Sequence, residues 1–116
     1  MQRESQKFLY DIQQASDLIA RITDGKTFEV YANDEILRPA VEREFGIIGE
    51  AINQLSRVDS ATVARITNFR RIIDFRNFLI HAYDQIDDDV VWDIVTNDLP
   101  ILLEDIRQIL QENGDT

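Results

Sequence analysis

With 116 residues, 44% of them hydrophobic and 29% charged, the chain is long enough to build one core and too short for several. It has no cysteine, which excludes a disulfide framework, a thiolate nucleophile and a cysteine-based metal site. A net charge of −10 argues against general coating of nucleic acid, whose non-specific binding rests on neutralising phosphates. It leaves room for a local basic site and favours a basic partner or partner face. The polar start, Met1-Gln2-Arg3-Glu4-Ser5-Gln6-Lys7, has no apolar signal-peptide core, and no apolar run approaches membrane-spanning length. The expectation is one cytoplasmic domain over residues 1–116.

Phe8, Ile12, Ala15, Ile19 and Ile22 recur at helical spacing, and Leu9 and Leu18 widen the stripe. They predict a first helix from Ser5 to Thr23, ended at Asp24-Gly25-Lys26 by a left-handed glycine. Thr27 to Tyr31 has the length of one extra turn. Asp34 is the expected N-cap of a second helix whose stripe is Leu37, Val41, Ile48, Ile52 and Leu55, with Phe45 and Ala51 beside it. Pro39 marks its early turn. Gly46 and Gly49 lie in the interior of that helix, where they cost stability unless something packs closely. Either a close crossing within the chain or a subunit interface would account for them.

Ser60 is placed to cap a short helix through Ile66, and Asn68 to cap the next one. Phe69, Ile72, Ile73, Phe75, Leu79 and Ile80 carry that helix to Tyr83. Asp84-Gln85-Ile86 reads as a turn, and Asp87, Asp88 and Asp89 as the acidic start of the last helix. Val91, Val95, Leu99, Leu102, Ile106 and Ile109 form its stripe, next to Trp92, Leu103 and Leu110. Pro100 should kink it near Thr96, and the end from Gln111 should fray. No segment alternates as a strand does. The predicted fold class is all-α, an antiparallel four-helix bundle with an extra short helix.

The chemistry concentrates in Arg76-Asn77-Phe78-Leu79-Ile80-His81-Ala82-Tyr83, which holds the single histidine. Asn77 and His81 are one helical turn apart, whereas Arg76 and Tyr83 share another face. A compact site from these residues needs the reach of Arg76, a loosened last turn, or a second chain. Taken alone, each has an ordinary explanation. A histidine near a helix C-terminus satisfies the dipole, an arginine pairs with an acid, and a tyrosine packs its ring with a wet hydroxyl. The acids Asp84, Asp87, Asp88 and Asp89 near His81 could suggest a metal, but helix capping already explains them and one histidine is a thin ligand set. No metal site and no cofactor is expected.

The same octapeptide resembles the R-x4-H-x-Y signature of HEPN domains, and in particular their HepT-like toxin branch. Ala40-Val41-Glu42-Arg43 and Ile47-Ile48-Gly49-Glu50-Ala51 are similar to the second helix of that branch. Val91-Trp92 and Asp98-Leu99-Pro100 are similar to its last helix. The resemblance implies an all-helical homodimer with metal-independent RNase activity, the toxin of a type VII (HEPN/MNT) toxin–antitoxin pair. It implies a minimal nucleotidyltransferase partner that adenylylates the tyrosine at position 83. On that pattern Arg76 and His81 are the catalytic pair, Asn77 orients His81 or the substrate, and Tyr83 is both a phosphate contact and the modification site. The residue types suit metal-free cleavage: histidine moves protons near neutrality, and a forked guanidinium stabilises charge on the phosphorane. Acid and base are two roles, so one histidine per chain calls for two chains meeting at the motif. The alternatives are a non-catalytic helical module that binds a nucleotidyltransferase, and a purely structural bundle.

Overall fold

The computed structural model describes residues 1–82 and 85–114. The helices are α1 (Arg3–Thr23), α2 (Phe28–Ala32), α3 (Leu37–Val58), α4 (Ser60–Val63), α5 (Phe69–Ala82), α6 (Asp88–Asp93) and α7 (Leu99–Glu112), with a π-helical turn, Ile94–Asp98, joining the last two. The described residues contain no strand. Four long rods, α1, α3, α5 and the α6–π–α7 unit, make the expected helical bundle, and α2 and α4 are short additions. None of the described helices is long and apolar enough to cross a membrane.

The predicted stripes supply most of the core, although in α1 the flanking Leu9 is buried while Phe8 and Ile22 are only partly so. Leu9, Ile12, Ala15 and Ile19 of α1 meet Val41, Phe45, Ile48, Ile52 and Leu55 of α3, and Leu99, Leu102, Ile106 and Ile109 close the packing from α7. Gly25 takes φ +71°, as the end of α1 requires. Asp34 does the capping expected of it, with Oδ1 accepting from the N–H groups of Ile36 (3.0 Å) and Leu37 (2.9 Å).

Three local expectations need correction. Asp59, not Ser60, caps α4: its Oδ1 accepts from the Thr62 N–H at 3.1 Å and its Oδ2 from the Thr62 hydroxyl at 2.7 Å. A carboxylate with two acceptor atoms outcompetes the neighbouring hydroxyl, and α4 stops at Val63 rather than Ile66. Ile80, assigned to the core stripe of α5, is 44% exposed, and Phe78 packs against the core instead. The last rod is irregular where Pro100 demands it, but as a π turn. Pro100 has no N–H for the Thr96 carbonyl, and the N–H of Leu99 bonds back five residues to Ile94. The Thr96 hydroxyl donates to the Trp92 carbonyl at 3.0 Å.

The placement of α5 matters most for the site. Its principal neighbour is α3, and only Ile72 and Phe75 are buried along its 14 residues. Arg71 fixes its first turns to the end of α6 and the π segment, with Nη2 3.1 Å from Asp93 and Nε 2.6 Å from Asp98. It is therefore an edge helix, pinned at one end and packed along one side.

Candidate active site

Helix α5 carries Arg70, Arg71 and Arg76 against one acid, Asp74, so it is net cationic on a chain of charge −10. Arg76 leaves it at the crossing with α3. A Cβ added to Gly49 would lie 2.2 Å from the Arg76 Cβ and 2.7 Å from its Cγ, so only glycine lets the two helices approach this closely. The glycine pair read from sequence thus divides. Gly49 makes an intrachain crossing, while a Cβ at Gly46 would meet nothing within 4 Å.

Beyond the crossing the arginine head is held from two sides. Nη2 lies 2.7 Å from Glu50 Oε2, and Nη1 donates to Asn77 Oδ1 at 3.3 Å. The Arg76 side chain is three-quarters buried, against a carboxylate that is 44% exposed. Asn77 is exposed, and the amide expected to orient His81 or the substrate is engaged with Arg76.

His81 sits in the last turn of α5, exposed to solvent. At 100° per residue, five residues put it about 140° round the helix from Arg76. One chain therefore does not bring these two side chains onto one face. Tyr83 lies outside the described residues, as does Asp84.

The other acids of the expected run are occupied in helix starts. Asp87 caps α6 by accepting from the Asp89 N–H at 2.9 Å, and Asp88 is 4.0 Å from Arg38. Among the described residues, no three His, Cys, Asp or Glu side chains are grouped to hold a metal. A groove of about 610 Å³ between α1 and α3, lined by Asp11, Asp17, Arg21 and Glu44, includes none of the motif residues.

Glu50 is the member of the cluster that spacing alone did not reveal, because its partner is 26 positions away and no helical periodicity links them. The signal in the sequence was the glycine directly before it, a position that only a crossing helix explains.

A family model described as ribonuclease HepT-like matches residues 12–109. Among curated proteins, "Putative RNase MJ0127" of Methanocaldococcus jannaschii is 30% identical over 95% of this chain and 90% of its own length. "Putative RNase MJ1380" of the same organism is 29% identical over 90% of this chain and 95% of its own. "Probable ribonuclease HepT" of Thermococcus cleftensis is 34% identical over 88% of this chain and 92% of its own. No solved structure matches.

Proposed function

Because the chain belongs to the ribonuclease HepT-like family, we propose that it is a metal-independent endoribonuclease of the toxin–antitoxin kind, with Arg76 and His81 as its catalytic residues. The observation that carries this reading is the held guanidinium: the net-cationic helix α5 presents an arginine whose stem is locked at Gly49 and whose head is held by Glu50 and Asn77. A preorganised donor of this kind suits charge that develops on a phosphorus centre.

In the proposed reaction the ribose 2′-hydroxyl attacks the adjacent phosphorus. A base removes the hydroxyl proton, Arg76 stabilises the pentacovalent phosphate, and an acid protonates the departing 5′-oxygen. The products are a 2′,3′-cyclic phosphate and a free 5′-hydroxyl. The 140° divergence of Arg76 and His81 on one helix favours a homodimer in which the half-covered face of α5 meets its copy. Such a two-fold axis would bring each Arg76 towards the partner's histidine and supply both proton-transfer groups.

Regulation follows from Tyr83, two residues beyond His81. Adenylylation there by a nucleotidyltransferase partner would put a phosphodiester anion next to the arginine's anion site and oppose RNA entry. Intact-mass measurement of the co-expressed pair should find added AMP on the peptide that holds Tyr83.

The deciding assay is cleavage of an oligoribonucleotide by the purified, unmodified chain in excess chelator. Wild type should leave cyclic-phosphate ends, and His81→Ala and Arg76→Ala should each lose about a hundredfold or more in rate with helicity intact. Activity that needs an added divalent ion would overturn the metal-free mechanism. A chain that captures the nucleotidyltransferase but leaves RNA whole would be a binding module instead.

A further inference from the structure

Exposed ion pairs usually contribute little, because two long side chains must be immobilised for a screened attraction. The Arg76–Glu50 pair differs in that both members are already braced. The arginine stem is packed against Gly49, where even one extra carbon would collide with it. The carboxylate is steadied from behind: Gln54, one turn further along α3, donates from Nε2 to Glu50 Oε1 at 2.9 Å. Oε2 then faces Arg76 Nη2 at 2.7 Å, and Nη1 donates to Asn77 Oδ1. A relay of four side chains, Gln54–Glu50–Arg76–Asn77, thus runs from α3 to α5.

We propose that Glu50, steadied by Gln54, is a positioning residue that sets the plane of the Arg76 guanidinium for phosphate; this deepens the ribonuclease reading and rests on it. A guanidinium has five N–H donors in a rigid fork. With one donated to Asn77 and the charge paired with Glu50, the rest of the fork is left for phosphoryl oxygens. Fixing the plane in advance removes reorganisation from the chemical step. The same carboxylate also repels the incoming phosphate. Glu50 therefore raises turnover and weakens RNA binding, two effects of opposite sign that a merely structural ion pair would not produce.

The test measures kcat for an oligoribonucleotide in wild type, Glu50→Gln, Glu50→Ala and Gln54→Ala. RNA affinity is measured for each change in a His81→Ala background, where turnover does not interfere. Turnover should fall in the order Glu, Gln, Ala at position 50, to about a tenth for alanine, because the glutamine amide oxygen still presents a partial negative charge to the guanidinium. Both substitutions should bind RNA about threefold more tightly, having lost the negative charge. Gln54→Ala, which changes no charge, should lower turnover severalfold and leave affinity alone. Turnover and affinity rising together at position 50 would overturn the proposal and make the carboxylate a mask over Arg76. No change in either would reduce the pair to a surface contact.

Inactive wild type would sink the ribonuclease reading, and the positioning is then decided by the Arg76 guanidinium resonances in nuclear magnetic resonance. Slow rotation of its Nη groups in wild type, lost in Glu50→Ala, supports it. Fast rotation in wild type overturns it.

Discussion

Asp59 ties α4 to the rest of the chain through one carboxylate. Besides capping α4 it accepts from the buried Ser5 hydroxyl of α1 at 2.9 Å. These bonds, the Thr62 hydroxyl foremost, hold its carboxyl below the usual range. A depressed folded pKa means stability that is present above the unfolded value of about 3.9 and lost as pH falls through the folded one. Asp34 acts in the same direction through the backbone N–H groups of Leu37 and Ile36. Glu42 acts oppositely, because burial first and Asp88 second raise its carboxyl. Asp59→Ala should cost about 1–2 kcal/mol at pH 7 in urea unfolding. The difference from wild type should shrink near pH 3, and an equal loss at both pH values would contradict the linkage. Cap positions could be read from residue types, since Asp and Ser favour helix starts. Asp59 rather than Ser60 caps because its carboxylate has two acceptor oxygens for Thr62, and its further bond to Ser5 is one that no local pattern encodes.

At the level of helices, the division between Gly49 and Gly46 gives a paired expectation. Gly49→Ala drives a carbon into the stem of Arg76 and should destabilise by about 1–3 kcal/mol, the usual cost of overpacking. Gly46→Ala enters open space and should gain about 0.5–1 kcal/mol from helix propensity. Urea midpoints of the two variants check this, and similar values would show that the crossing is not tight. The stripes of α1, α3 and the last rod were legible because each buries a repeating face. Helix α5 was less legible: packed on one side, it buries only Ile72 and Phe75, and the apolar spacing wrongly drew Ile80 inward. Pro100 announced a break near Thr96, but not that the chain would absorb it by widening one turn.

For the whole molecule, the half-covered flank of α5 is the surface on which the proposed dimer depends. Ile80, 44% exposed on that helix, is its natural probe. Light scattering at micromolar concentration should give twice the chain mass of 13.5 kDa, and Ile80→Glu should return the monomer with unchanged helicity. A monomeric wild type would remove the composite site while leaving the family membership untouched. The motif and its neighbours could be found in the sequence because their spacing is fixed along one helix. How Arg76 and His81 come to act together could not, since their separation round α5 is resolved only by what a second chain brings.

Gly49 and Glu50 are adjacent, yet they answer to different pressures. The collision at Gly49 is with the Cβ of residue 76, an atom that every amino acid except glycine carries. Glycine there is thus a toll levied by the crossing itself, owed whether or not an arginine stands opposite. Glu50 makes its long-range contact with a guanidinium alone. In a lineage that had abandoned Arg76, selection would keep position 49 and release position 50. The two neighbours would then keep separate histories, one of the fold and the other of its use.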